Sequence, residues 1–118
     1  MNNNVIIRVA DIIGSSLCIS AEDGQKVFAK LAPLIKEGKH VTISFERVTT
    51  LISLFLNAAI GQLYGSFSED QVRAQLKVAG LADDDLEILK RVVDNAKKYY
   101  TNPQQYDEAW KTEGGDEE

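Results

Sequence analysis

The sequence predicts an α/β domain, a mixed four-stranded sheet with helices mainly on one face. Two observations carry that expectation. Val41 to Phe45 and Gln71 to Val78 alternate apolar with polar or small residues, the period-two pattern of a strand with one buried and one open face. Three further segments space their apolar residues as helices do, bounded by capping or breaking residues. Sheets sandwiched between two helix layers carry unbroken Val and Ile runs instead, so the alternation argues for helices on one side.

In chain order, Val5, Ile7 and Val9 alternate with Ile6 and Arg8 as a first strand. Gly14-Ser15-Ser16 then turns the chain into a second strand at Leu17 and Ile19, close enough to the first for a hairpin. Ser20 is a good N-cap, and Glu22 and Asp23 in the following turn favour the positive end of a helix. Val27, Phe28, Leu31, Leu34 and Ile35 form that helix's buried stripe and Gly38 ends it. Pro33 removes one hydrogen bond inside it and predicts a kink or break. His40 to Glu46 is the third strand and Gln71 to Val78 the fourth, separated by a helix over Leu51 to Ser66.

A third helix starts near Asp83 with an Asp84-x-x-Glu87 pair of capping-box type, and Leu86, Leu89, Val92, Val93, Ala96 and Tyr100 are its apolar stripe. Asn102-Pro103 stops it. Strands separated by helices imply right-handed crossovers and parallel neighbours; with the hairpin this gives a mixed sheet. The domain is expected over residues 1–103, and 104–118 as a short helix carrying Tyr106 and Trp110 or a flexible acidic tail.

Composition narrows the function. A chain of 118 residues with 44% hydrophobic and 26% charged residues is that of one ordinary globular domain. The net charge of −5 resides in Asp107 to Glu118, where six acids face Lys111 alone; the other residues are neutral. A neutral body with an acidic end gives no electrostatic footprint for nucleic acid. No basic segment leads into an apolar run at MNNNVIIRVAD, and the longest apolar stretch, Leu51 to Phe67, is short for a membrane span. A cytoplasmic protein without membrane contact is expected.

Catalytic residue types are scarce. Cys18 is the single cysteine, flanked by Leu17 and Ile19 as a buried structural thiol is, and His40 is the single histidine. Neither a His-rich metal site nor a His-supported nucleophile can be assembled from them. Asp83, Asp84 and Asp85 point in different directions on a helix and read as favourable charges at its start. Gly14-Ser15-Ser16 lacks a phosphate-loop lysine and precedes a strand. No catalytic residue, cofactor or metal is expected, and the protein is read as a non-enzyme.

The strand HVTISFERV followed by TTLISLFLNAAIGQLYG resembles the core of STAS domains, named for sulfate transporters and anti-sigma factor antagonists. It is closer still to the STAS-like family of uncharacterised bacterial domains, whose helix runs approximately S-S-F-L-N-A-A-I-G; Phe55 to Gly61 fits that form. The resemblance spans residues 5–101. It implies a regulatory module that docks a protein partner, such as a serine kinase or another ATPase of the histidine-kinase-like fold, through the loop and helix start at 46–57. The residues it nominates are Glu46, Arg47, Thr49, Thr50, Ser53, Leu54, Phe55 and Asn57.

In anti-sigma antagonists a serine at this junction is phosphorylated. Here Ser53 matches the first serine of the motif and is the possible phosphoacceptor, while Leu54 stands where the phosphorylated serine would be. Ile52 occupies an aspartate position, and Phe55 and Asn57 replace two glycines. The alternative is a small-molecule or nucleotide sensor using the same helix N-terminus, where backbone amides favour anions.

Ser53, Asn57, Gly61 and Gly65 recur every fourth position along an otherwise apolar helix. Such residues drift only about 40° per step around a helix and form one slowly winding stripe. The stripe either lets the helix pack closely on the sheet or the third helix, or is exposed beside Leu54, Phe55 and Ile60 at a docking face.

Overall fold

The computed structural model describes residues 4–101. The Asn102-Pro103 stop, Tyr106, Trp110 and the rest of 104–118 lie outside the described residues. The fold is α/β, as the sequence predicts, but its strands are arranged differently. β1 (Asn4–Arg8), β3 (His40–Ser44) and β5 (Leu76–Ala79) form a three-stranded sheet in the order β1-β3-β5. β2 (Leu17–Cys18) and β4 (Thr50–Leu51) form a separate two-stranded sheet. Every pairing is parallel. A mixed four-stranded sheet with a β1–β2 hairpin is therefore not what the chain forms.

The reason lies at Val9, which belongs to no strand. It opens a single helical turn, α1 (Val9–Ile13), closed by Gly14 at φ 68°, whose N–H donates to the Ala10 carbonyl at 2.9 Å. That turn carries the chain away from β1, so β2 meets β4 instead.

The fourth strand is also shorter than its alternation suggests. Residues Glu69–Gln75 are a helix, α5, capped by Ser68, whose Oγ accepts from the Gln71 N–H at 3.1 Å; only Leu76–Ala79 is strand. Val72 and Leu76 are four apart, a spacing that suits either periodicity. The Gln75 amide shows what the helical form gains, since its Nε2 donates to the carbonyls of Ile35 and Lys39 at 3.0 and 2.7 Å. It thereby ties α5 to the end of α2 (Ala21–Lys36), adding a further partner to the Ile35 carbonyl, which already accepts from the Gly38 N–H, and one to the Lys39 carbonyl just beyond the helix.

α2 starts at Ser20, whose Oγ accepts from the Asp23 N–H at 3.0 Å, and buries Val27, Leu31 and Ile35. Pro33 does not end it: the helix continues to Lys36, because a proline this near the terminus forfeits one hydrogen bond and little else. α6 (Asp83–Thr101) begins two residues earlier than a capping box at Asp84 requires; the Leu86 N–H donates to the Ala82 carbonyl at 2.9 Å, which places Asp84 inside the first turn.

The helix expected over 51–66 is three pieces: α3 (Ser53–Leu56), a wider π-helical turn (Asn57–Gly61) and α4 (Leu63–Ser66). The Gln62 N–H reaches back five residues to the Asn57 carbonyl at 3.2 Å, while the Gln62 side chain takes the Ala58 carbonyl at 2.8 Å and Gln25 at 2.6 Å. The residue that widens the turn thus satisfies the acceptor that the widening releases.

Register fixes where the core lies. Val5, Val41 and Leu76 align across the sheet, as do Ile7, Ile43 and Val78, and they face the helices. The alternate row Ile6, Thr42 and Lys77 lies on the other face, where Ile6 is 61% exposed. Among the described residues no helix is long and apolar enough to cross a membrane.

Candidate functional site

β3 leads directly into the nominated loop. Phe45, fully buried, extends the ladder through its N–H to the Ala79 carbonyl at 2.9 Å. A turn over residues 45–48 follows, closed by the Val48 N–H on the Phe45 carbonyl at 3.0 Å. Arg47 occupies its third position at φ 70° and is the positive-φ non-glycine residue among those described. That conformation costs an ordinary residue about 1–2 kcal/mol, and turns of this kind favour glycine there. Gly80, at φ 82°, backs the turn so closely that a Cβ would lie 3.0 Å from the Glu46 nitrogen. Arg47→Gly is expected to raise stability in urea unfolding by roughly 0.5–1 kcal/mol, the relief of strain less the greater chain entropy of glycine. A loss of stability would mean that the Arg47 side chain makes a contact worth more than the strain.

Beyond the turn, two chain segments run side by side. The Thr49 N–H donates to the Ser16 carbonyl at 2.9 Å, and the Ile52 N–H to the Cys18 carbonyl at 3.1 Å. The Thr49 hydroxyl reaches Ser16 as well, at 3.3 Å. Leu17 pairs with Thr50 and Cys18 with Leu51. Cys18 and Leu51 point inward; Leu17 and Ile19 point outward on the same face as Thr50 and Ile52.

The result is an apolar patch. Leu17 is 43% exposed, Ile19 46%, Ile52 37% and Leu54 53%, and the charged Glu46 and Arg47, also exposed, border the loop before it. Contiguous exposed aliphatic groups rimmed by polar residues mark interaction surfaces. Leu17 and Ile19 are not among the residues nominated from sequence, because their place alongside the 50–52 segment depends on a strand pairing that one sequence does not reveal.

Of the nominated residues, Glu46, Arg47, Thr49, Thr50, Ser53, Leu54 and Asn57 are exposed. Phe55 is the exception: it is fully buried in the core, one helical step from Leu54 and about 100° around the helix from it. A docking contact by Phe55 is corrected accordingly. Ser53 is the first residue of α3, accessible at the surface, and Ile52 caps the helix without a side-chain hydrogen bond. Asn57 turns toward Gly61, where its Oδ1 would lie 2.6 Å from an added Cβ, on the side facing Val92 of α6. Gly65 lies under the Tyr100 ring, 2.5 Å from where its Cβ would be. Gly65 therefore serves close packing against α6, whereas the space over Gly61 is taken by the Asn57 side chain of the same helical segment.

Neither the cysteine nor the histidine joins a cluster of groups of catalytic type among the described residues. Burial pushes the Cys18 thiol up to about 11, with Asp23 adding to the shift, so it stays protonated at neutral pH. His40 is exposed at the start of β3. Among the described residues no three His, Cys, Asp or Glu side chains converge as a metal site would require.

No curated protein and no solved structure matches the chain. Residues 23–86, more than half of it, match a family described as the STAS-like domain of unknown function (DUF4325). The matched segment runs from α2 through the loop, the apolar helix and β5 to the start of α6. The chain thus belongs to the STAS-like domain family.

Proposed function

We propose that this protein is a non-enzymatic regulatory module of the cytoplasm. It docks a protein partner through the patch formed by Leu17, Ile19, Ile52 and Leu54 together with Glu46 and Arg47. The observation that carries this reading is the exposure of four large aliphatic side chains on one small sheet and the adjoining helix start. Burying that surface in a complex removes apolar area from water at about 25 cal/mol per Å², while Glu46 and Arg47 select the partner by charge. The partner class that fits the STAS resemblance is an ATPase of the histidine-kinase-like fold.

Phosphorylation is not the control in this reading. Leu54 has no hydroxyl to accept phosphate, and it is the most exposed of the four aliphatic residues of the patch. With the partner ATPase immobilised, Ser53→Ala is expected to leave affinity within about twofold, whereas Leu54→Asp weakens it by at least about tenfold, since a charge is placed in an apolar contact. Equal binding by both variants would remove the patch from the interface. Stoichiometric phosphate on native Ser53, with release of the partner by Ser53→Asp, would establish a switch at Ser53 instead. Nucleotide retained by the purified chain and lost on altering the α3 start would favour a ligand sensor.

A further inference from the structure

The register of the main sheet exposes a second feature. In β3 the core-facing Val41 and Ile43 are almost wholly buried, but their partners across the ladder in β5, Leu76 and Val78, are only half-buried. β5 is an edge strand, and a cavity of about 240 Å³ lies over it between α5 and α6. Its lining is aliphatic: Ile60, Val72 and Leu89 are buried, while Leu76, Val78 and Val93 remain partly open to it. Apolar surface left in contact with water inside a concavity favours any apolar group that can displace that water.

The rest of the lining is polar and carries charge of both signs. Glu69 Oε2 accepts from Arg73 Nη2 at 2.6 Å and from Lys97 Nζ at 3.0 Å, joining α5 to α6. One carboxylate thus faces two cations, each with donors to spare: an ammonium has three N–H groups and a guanidinium five. The hydrogen bond from Lys97 holds the Glu69 carboxyl below its usual range, so it stays ionised and offers no proton. Tyr64 completes the polar lining; burial raises its phenol, which remains an O–H donor at neutral pH. Asp94 influences Tyr64 electrostatically but is not part of the lining.

We propose that this cavity binds a small monocarboxylate with an aliphatic tail, the tail lying against Leu76, Val78 and Val93 and the carboxylate accepting from Lys97, Arg73 and Tyr64. At about 30 Å³ for each water-sized group, the volume holds roughly eight non-hydrogen atoms, enough for the aliphatic tail of octanoate with its carboxylate at the charged rim, where the Arg73 side chain is exposed. An alkylammonium of the same length meets two like charges at the polar end against the single opposite charge of Glu69, which those two cations already engage, and an alcohol forgoes the ionic contacts. The cavity and the docking patch share no residue, so this inference goes beyond the docking reading and stands independently of it.

Titration calorimetry of the full chain with sodium octanoate, beside octylammonium chloride and 1-octanol, tests it. Saturable one-to-one octanoate binding is expected, at least about tenfold tighter than that of octylammonium. Lys97→Met keeps the apolar stem and removes the charge, and is expected to weaken octanoate by about tenfold or more. Val78→Trp, which fills the cavity, abolishes binding; should it not fold, judged by circular dichroism, Arg73→Met takes its place and is expected to weaken octanoate severalfold. Leu54→Asp leaves octanoate affinity unchanged. No saturable binding, equal affinity for octylammonium, or an unaltered affinity in Lys97→Met would overturn the proposal.

Discussion

Phe55→Ala is expected to cost about 3–5 kcal/mol of folding stability, while Leu54→Asp, one residue earlier, stays within about 0.5 kcal/mol. The contrast follows from a rotation of about 100° around the helix. Phe55 is completely enclosed and contributes to the same core as Leu31, Ile43 and Ile60. Removing its ring takes away the transfer energy of a large apolar group and leaves a void that rigid neighbours fill only in part. Natural domains are stable by only about 5–15 kcal/mol, so this loss is a large fraction of the whole. Leu54 is more than half exposed, and a carboxylate there stays in water in the free protein. Urea unfolding followed by circular dichroism measures both. Similar losses for the two variants would mean that Leu54 is as much a core residue as Phe55, and the docking patch would lose its most exposed member.

The second large effect runs against helix propensity. Gly24 lies in the first turns of α2 and is buried. Replacing a helical glycine with alanine ordinarily stabilises by about 1 kcal/mol. At Gly24 the new Cβ would come within 2.5 Å of the Phe55 carbonyl oxygen and 2.8 Å of the Ala58 Cβ. One obstacle is backbone and the other a short side chain fixed to it, so neither can swing aside. α2 would have to move away from the π-helical turn, and overpacking of this kind costs about 1–3 kcal/mol. Gly24→Ala is therefore expected to lower the urea midpoint, with a larger drop for Gly24→Val. A rise in the midpoint would show that the two helices are farther apart than described.

Local signals in the sequence predict local structure well. Ser20 caps α2, Gly38 follows its end, and the α2 stripe and the middle of the α6 stripe (Leu89, Val92, Val93, Ala96) face the core because each depends only on residues within a few turns. Leu86 and Tyr100, at the two ends of the α6 stripe, are exposed. Features that depend on distant partners were less legible. Nothing near Val9 reveals that β1 gives way to a helical turn, or that Leu17 seeks Thr50, 33 residues away, rather than β1. The segment Gln71 to Gln75 alternates as a strand does, yet its two glutamines reach across to the Ile35 carbonyl as side chains of a helix.

Phe55 is a different case, since the signal was present. Leu51, Phe55, Ala59 and Leu63 recur at four-residue spacing and are all buried. The periodicity of the segment places Phe55 in the core, whereas the family motif drew attention to it as part of the docking junction. Neighbouring letters of one motif had to be divided between folding and recognition, and burial makes that division. The aliphatic face completed by Leu17 and Ile19 had no comparable signal, because alternation around Cys18 does not say which side of a two-residue strand meets solvent.

The most direct measurement is site-specific photocrosslinking in the native cell, with a photoreactive phenylalanine analogue introduced in turn at Ile19, Ile52 and Leu54. Lys30 and Lys90, exposed on α2 and α6, serve as reference positions. The patch positions are expected to yield one and the same stoichiometric adduct, containing an ATPase of the histidine-kinase-like fold, and the reference positions none. Adducts that form equally well from Lys30 and Lys90, or no adduct from any patch position, would contradict the account.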